Sequence, residues 1–168
     1  MSRILFLLAL GVGGALFFRS YAYEGIYLAT DSMAPTMPEG THIFVNKFTF
    51  KFREPRHGDI IVFTTPYDPG KGLVKRVIGI PNDKIQLKNK TVVRNGVALK
   101  ENYVQYLNPE TIFKGDNTPE VIVPKDHVFL MGDNRDVSGD SRDWYTTDGQ
   151  WAPFVPYTVI SGLVRAAE

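Results

Sequence analysis

Ser32 is the residue in this sequence best suited to act as a nucleophile. It lies in the loop DSMAPT at positions 31–36, between an apolar N-terminal segment and the first predicted strand. A serine hydroxyl is a weak nucleophile at neutral pH and requires a base within hydrogen-bond distance. Because the chain has no cysteine and only three histidines, a lysine is the practical candidate for that base.

Lys75 is the lysine whose surroundings suit this role. It lies in the apolar segment LVKRVIGI at positions 73–80, where strand alternation places it on one face with Leu73 and Val77. Burial disfavours the ammonium form and lowers the pKa of a lysine, as a general base near neutral pH requires. On this pattern alone, a strand lysine that extends its ammonium into solvent remains the alternative.

Other catalytic and metal-binding patterns do not fit. The chain lacks the Gly-x-Ser-x-Gly, Ser-x-x-Lys, His-Glu-x-x-His and phosphate-loop signatures. Its histidines, His42, His57 and His127, have no seryl or acidic partner at a diagnostic spacing, so we predict structural roles for them. The acidic run DNRDVSGD at 133–140 lacks the glycine and glutamate of an EF-hand loop. We therefore predict neither a metal nor a cofactor.

Length and charge exclude further classes of protein. The chain has 168 residues, which suits either one domain or one domain with an appendage and excludes two large domains. Its 19 Lys and Arg residues nearly balance its 18 Asp and Glu residues. A nucleic-acid partner is not expected, because such proteins carry a strongly basic surface.

The N-terminal segment predicts a membrane anchor. Positions 4–18 contain no polar side chain and follow Arg3; as a helix they would span about 22 Å, somewhat less than a hydrocarbon core of about 30 Å. We expect residues 1–23 to form an anchor with its N-terminus inside, and residues 24–168 to form an extracytoplasmic domain. A removed signal peptide, cut after Ala22, and a buried helix are the alternatives.

The rest of the chain predicts a mainly β fold, a twisted antiparallel assembly with long loops, preceded by one transmembrane helix. Short β-rich runs occur at 42–46, 59–64, 73–80, 84–87, 91–100, 120–123 and 127–131. Asn95-Gly96 predicts a type I′ hairpin turn. The run KFTFKFR at 47–53 alternates strictly. It predicts a half-buried strand, or alternatively an edge that touches the membrane with its basic residues toward anionic lipid.

Several ordered sequence blocks resemble the type I signal peptidases, a family of membrane-anchored Ser-Lys proteases. SMAPT at 32–36 is similar to the nucleophile box, and KRVIGIPND at 75–83 is similar to the box that carries the base. Between them, VNK at 45–47 and PRHGDIIVF at 55–63 also fit. GDNRDVSGDSR at 132–142 is similar to the last box. The resemblance extends over about residues 25 to 165.

The resemblance implies roles for the residues of a catalytic site. Neutral Lys75 would accept the hydroxyl proton of Ser32, and an acyl-enzyme would form. The backbone N–H of Ser32 and the hydroxyl of Thr30 would bind the oxyanion. Other members have serine or glycine at the position of Thr30.

Further roles are implied around the dyad. Ser138 would hydrogen-bond the lysine, Asp140 and Arg142 would brace its loop, and the neighbouring pair Asp133 and Asn134 would shape a turn. A shallow pocket for the residue before the cut would be lined by Ile26, Leu28, Met33 and Val74. Ordinary core packing is the alternative for these four.

The function implied is cleavage of N-terminal signal peptides from exported preproteins, with small residues at −1 and −3. The enzyme would be a single-pass serine endopeptidase of the bacterial cytoplasmic membrane, with its catalytic domain on the outer face and membrane lipid as a second partner. A conjugative-pilus maturation peptidase and a non-catalytic peptide-binding β module are alternatives. The segment DWYTTDGQWAP after Arg142 is longer than the family pattern, which leaves the geometry of that region open.

Overall fold

The N-terminal helix leads directly into antiparallel β-structure. The computed structural model describes residues 2–65, 70 and 72–165. The helices are α1 (Ser2–Ala22) and α2 (Thr49–Phe52). The strands are β1 (Tyr23–Tyr27), β2 (His42–Asn46), β3 (Ile60–Thr64), β4 (Gly72–Gly79), β5 (Lys84–Lys88), β6 (Thr91–Arg94), β7 (Val97–Ala98), β8 (Val121–Ile122), β9 (His127–Met131), β10 (Phe154–Pro156) and β11 (Ile160–Arg165). Short 3₁₀ turns lie at Lys114–Asp116 and Tyr157–Val159.

The strands form a large and a small sheet. The large sheet has the order β1-β2-β11-β3-β4-β9-β10, and the small sheet has the order β7-β6-β5-β8. Among the described residues, all pairings between these strands are antiparallel. The predicted mainly β, antiparallel architecture is therefore confirmed. The central strands β3, β4 and β9 have almost wholly buried side chains, so they give the site a rigid base.

The predicted hairpin turn forms between β6 and β7. Asn95 and Gly96 have φ angles of 53° and 80°, as a type I′ turn requires. The Asn95 side chain accepts a hydrogen bond from the backbone N–H of Lys84 at 2.8 Å and donates one to Asp83 at 2.7 Å. The turn is therefore fixed by side-chain contacts as well as by backbone preference.

The strand predicted at 47–53 is wrong, because the chain forms the single helical turn α2 there. The side-chain oxygen of Asn46 accepts hydrogen bonds from the N–H groups of Phe48 and Thr49, at 2.9 and 3.1 Å. These two bonds satisfy free backbone donors at the start of the helical turn, whose N-cap residue is Phe48. The phenylalanines consequently do not share one face: Phe50 packs against the core, whereas Phe52 is 84% exposed.

The predicted N-terminal helix is present as α1. Within the described part of the chain, no helix combines the length and hydropathy that a membrane span requires. The predicted boundaries of the anchor and the domain include residue 1 and residues 166–168, which lie outside the described residues.

The long segment after Arg142 forms a loop, which an isolated antiparallel β-bridge between Tyr145 and Trp151 closes. The Trp144 ring meets Phe63 edge to face, with 5.8 Å between centroids. The indole N–H of Trp151 donates to the carbonyl of Ser141 at 2.9 Å. The additional residues therefore stabilise the last box of the motif from outside.

Candidate active site

The loop that carries Ser32 is fixed by two buried methionines. Met33 and Met37 are 1% and 2% exposed, and the N–H of Met37 donates to the carbonyl of Met33 at 2.8 Å. The N–H of Ala34 donates to the carbonyl of Asp31 at 3.0 Å. Burial of the methionines on one side of the turn leaves Ser32 half-buried at its edge.

Lys75 reaches Ser32 from the centre of the large sheet. It lies on β4 opposite Ile61 of β3, and only 2% of it is exposed. Its Nζ lies 2.8 Å from Ser32 Oγ and 3.1 Å from the carbonyl oxygen of Val74. The structure thus brings together the predicted nucleophile and base, which are 43 residues apart in sequence.

The groups predicted to bind an oxyanion lie beside the same hydroxyl. Thr30 Oγ1 is 3.2 Å from Ser32 Oγ, and the Thr30 side chain is exposed. Among the described residues, none accepts a hydrogen bond from the backbone N–H of Ser32. The carbonyl of Ser32 accepts one from the N–H of Asn134 at 3.2 Å. The nucleophile loop is thereby attached to the last box of the motif.

Ser138 lies close to the dyad but does not make the predicted hydrogen bond in this structure. Its side chain is buried, and its Oγ has no hydrogen-bond partner among the described residues. Its backbone N–H donates to the carbonyl of Asn134 at 3.0 Å. A Cβ added to Gly132 would overlap both Ser138 Oγ and the carbonyl oxygen of Ser32. Gly132 therefore allows the close approach of these two serines.

Asp140 and Arg142 form a buried ion pair that braces this loop. Arg142 Nε and Nη2 donate to the two carboxylate oxygens at 2.8 and 3.0 Å, and the N–H of Gly132 donates to Asp140 Oδ2 at 3.0 Å. Burial alone would raise the pKa of Asp140, but the adjacent Arg142 guanidinium and these hydrogen bonds hold that pKa below its ordinary value. The carboxylate is therefore charged and fixes the position of Gly132.

A second buried ion pair was not recognised in the sequence. We predicted that Asp133 shapes a turn, yet its carboxylate accepts hydrogen bonds from Arg76 Nε and Nη2 at 2.7 and 2.6 Å. It also accepts one from the hydroxyl of Thr36 at 2.5 Å. Asp133 thus joins β4 to the nucleophile loop. The sequence feature that could have indicated this pair is Arg76, which follows Lys75 in an apolar strand. A buried guanidinium requires an acidic partner.

The residues predicted to line a substrate pocket lie in one hydrophobic cluster. Leu28, Met33 and Val74 are buried there, and the half-buried Ile26 packs against them. Their low exposure, between 1% and 8% for the three buried side chains, agrees with core packing. A role in substrate binding stays a prediction.

His57 has the structural contact that we expected for a histidine. Its Nε2 lies 2.6 Å from Oδ2 of Asp83, which is in the turn between β4 and β5. Burial would raise the pKa of Asp83, but hydrogen bonds from His57 and from the turn lower it.

Replacement of Asp140 by asparagine tests the ion pair. Asp140→Asn leaves Arg142 buried without its counter-charge, so the free energy of unfolding at pH 7 should fall by about 3 to 5 kcal/mol. Because the folded pKa of Asp140 lies below the unfolded value of about 4, its contribution is present above that pH and is lost as the pH falls. Urea unfolding from pH 3 to 7 should show less acid destabilisation in the variant. Glu120→Gln, at an exposed site, is the control; equal effects would contradict the assignment.

Comparison with known proteins identifies the family of this chain. The family model described as "Signal peptidase, peptidase S26" matches residues 1–167. A "Probable signal peptidase I-1" of Synechocystis is 40% identical over 137 residues, 77% of this chain and 67% of the relative. "Signal peptidase I P" of Bacillus subtilis subsp. natto is 38% identical over 135 residues, 77% and 71% of the two chains. The crystal structure of a signal peptidase I from Enterococcus faecalis superposes with a TM-score of 0.51 at 28% identity, covering 67% of this chain and 98% of that chain. This chain therefore belongs to the signal peptidase family, peptidase S26.

Proposed function

We propose that this protein is a serine endopeptidase that cleaves N-terminal signal peptides from exported preproteins through a Ser32–Lys75 dyad. The observation that carries the proposal is the 2.8 Å contact between Ser32 Oγ and the Nζ of a lysine that is 2% exposed. A lysine in this setting can lose its proton near neutral pH and act as a base. Membership of the signal peptidase family supplies the substrate class.

The reaction proceeds in two steps. Neutral Lys75 takes the proton of the Ser32 hydroxyl as Oγ attacks the scissile carbonyl carbon. The negative charge that develops on the carbonyl oxygen is stabilised by the N–H of Ser32 and the hydroxyl of Thr30. The tetrahedral intermediate collapses to an ester on Ser32, and Lys75 returns the proton to the departing amine. Lys75 then deprotonates a water molecule that attacks the ester carbonyl, and it passes this proton to Ser32 Oγ as the ester bond breaks and the signal peptide is released.

The loop at 132–142 packs beside the groups that carry out this chemistry. Ser138 and Gly132 pack against the nucleophile loop, and Asp140 with Arg142 holds their backbone in place. In this proposal Ser138 orients the Lys75 side chain once a substrate is bound, since hydrogen bonds of catalytic groups often tighten only in the complex.

Selection of small residues at −1 and −3 follows from the apolar cluster beside Ser32. Ile26 packs against the apolar cluster that contains Leu28, Met33 and Val74, and Met33 directly follows Ser32 in the nucleophile loop. A site lined in this way accommodates an alanine-sized side chain and excludes a larger one by overlap.

Residues 1–23 form a single-pass anchor in the bacterial cytoplasmic membrane, and residues 24–168 form the catalytic domain on its outer face. The supporting observation is that apolar side chains of α1 are 59% to 67% exposed, including Ile4, Leu5 and Phe6. Contiguous exposed apolar surface of this kind marks a membrane or partner contact. Arg3 before the apolar run favours an inner N-terminus.

The α2 turn is a second contact with membrane lipid. β1 follows α1 directly, Tyr23 of β1 pairs with Asn46 of β2, and the side chain of Asn46 accepts a hydrogen bond from the N–H of Phe48 at the start of α2. Phe52 of this turn is 84% exposed and follows the exposed Lys51, whereas Arg53 is paired with Asp59. An exposed aromatic ring beside a basic side chain suits the interface of an anionic bilayer.

Removal of either member of the dyad should abolish turnover. Ser32→Ala and Lys75→Ala should each lower kcat/KM on a purified preprotein by several orders of magnitude, and the double variant should be no worse, because the two residues act as one unit. Circular dichroism should show an intact fold. The exposed residues Ser161 and Lys84 provide matched controls as Ser161→Ala and Lys84→Ala. Substantial cleavage by Lys75→Ala would refute the mechanism, and mass spectrometry of the products would reveal cyclisation or mere retention of the peptide.

The close approach at Gly132 gives a second test. A Cβ in Gly132→Ala overlaps Ser138 and the Ser32 carbonyl, whereas a Cβ at Gly139 has nothing within 4 Å. Displacement of a catalytic group by about 1 Å can cost about 10²-fold in rate. We expect Gly132→Ala to lose about that much kcat/KM and Gly139→Ala to retain wild-type activity in the same peptide assay. If both variants cleave equally well, Gly132 does not set the geometry of the site.

The anchor should affect the cleavage of a membrane-bound preprotein more than the cleavage of a soluble peptide. Deletion of residues 1–22 should leave kcat/KM on a soluble peptide near that of the full chain, but slow the cleavage of a preprotein in vesicles by about tenfold or more, because the anchor supplies local concentration. The soluble peptide serves as the internal control. Equal rates of both proteins on vesicles would argue against anchoring.

A further inference from the structure

Lys90, which lies outside the dyad, makes a buried set of ionic contacts. It occupies the turn between β5 and β6 with φ of 71°, which is uncommon for a residue other than glycine. Its side chain is 8% exposed, and its Nζ lies 2.8 Å from Asp136 Oδ1 and 3.5 Å from Asp116 Oδ2. The same Nζ donates to the carbonyl of Asn108 at 3.0 Å. The Lys90 ammonium therefore contacts two carboxylates and one backbone carbonyl.

Asp136 transmits this contact to the loop at 132–142. Its side chain is 2% exposed, and it also accepts a hydrogen bond from the N–H of Asn108 at 2.6 Å. Burial would raise the pKa of Asp136, but Lys90 and the backbone donors lower it. Asp136 lies two residues before Ser138, so the ammonium of Lys90 fixes the carboxylate next to the turn that buries that serine.

Asp116 provides a second route to the same loop. Its carboxylate, 1% exposed, lies between Lys90 Nζ at 3.5 Å and Arg142 Nη1 at 3.4 Å. Arg142 in turn binds Asp140, which accepts the N–H of Gly132. Lys90 is thus connected to both halves of the loop, directly through Asp136 and indirectly through Arg142.

We propose that Lys90 is a positioning residue for the Ser32–Lys75 dyad: its ion pairs hold the loop at 132–142 so that Gly132 and Ser138 enclose the dyad. The inference rests on the proposed Ser-Lys mechanism. Because Gly132 approaches both Ser138 and the carbonyl of Ser32, a displacement of this loop reaches the nucleophile without any change in the dyad itself.

The pH dependence of kcat/KM distinguishes a role of Lys90 in positioning the dyad from a role in stabilising the fold alone. A loosened loop admits water to Lys75, which favours the ammonium form, so the acid limb of kcat/KM should move to higher pH. If the variant only lost folded protein, kcat/KM would fall by the same factor at every pH, and the acid limb would stay at the same pH. The charged groups around β4 each have a partner in the wild type: Asp59 is paired with Arg53, Asp133 with Arg76, Asp140 with Arg142, and Asp31 accepts the N–H of Glu39.

The test compares Lys90→Met with Lys88→Met in the full chain, on a soluble signal-peptide substrate from pH 5 to 10. Lys88 is an exposed lysine at the end of β5, and its variant is the matched control. We expect Lys90→Met to lose about tenfold to a hundredfold in kcat/KM, with the acid limb displaced to higher pH, and Lys88→Met to resemble the wild type. Asp136→Asn should act in the same direction, and the double variant should be no worse than the more damaged single one.

Each outcome bears on the inference. Suppose that the wild type is active and that folded Lys90→Met keeps the acid limb of the wild type. This result would overturn the inference and leave the proposed function intact. An inactive wild type would overturn both. If circular dichroism shows that Lys90→Met does not fold, Asp136→Asn and Lys90→Arg decide: Asp136→Asn should move the limb, and Lys90→Arg, which keeps the charge, should restore most of the wild-type profile. The opposite pattern would refute the positioning role.

Discussion

The enclosure of the Lys75 amine against the Ser32 hydroxyl is the constraint on which the rest of the structure depends. The proposed mechanism requires a neutral amine, and burial favours that form because a buried ammonium loses several kcal/mol of hydration. The contact joins the central strand β4 to a loop 43 residues earlier. The fold must therefore hold a loop, a strand and the segment at 132–142 together while keeping water out, and this requirement accounts for the surrounding buried charges.

Three buried ion pairs meet that requirement from different directions. Arg76 with Asp133 joins β4 to the nucleophile loop, Arg142 with Asp140 fixes Gly132, and Lys90 with Asp136 fastens the small sheet to the same segment. Buried pairs of this kind contribute little net stability, but the loss of one partner is costly because a charge is left unpaired. Their value here lies in defining a single arrangement around the dyad.

Local patterns in the sequence predicted most of the strands and the Asn95-Gly96 turn, because alternation and turn chemistry act over short distances. They did not indicate β1, β10 or β11. The pairing of Ser32 with Lys75 followed from the resemblance to the signal peptidases, since local pattern alone left a solvent-facing lysine as the alternative. The α2 turn was missed because the hydrogen bonds from Phe48 and Thr49 to the Asn46 side chain accompany a helical turn where the alternating pattern predicts a strand. The role of Asp133 was missed because its partner Arg76 lies 57 residues away. Contacts over such separations depend on the tertiary arrangement, which no single segment encodes.

The protonation of Lys75 itself tests the central claim most directly. Nuclear magnetic resonance of the full chain labelled at lysine side chains, with the Lys75 signal assigned from Lys75→Arg, would follow each amine as the pH rises. The account predicts that Lys75 loses its proton well below the value of about 10.4 expected for exposed lysines, at the pH where kcat/KM rises. Titration of Lys75 together with the exposed lysines would contradict it.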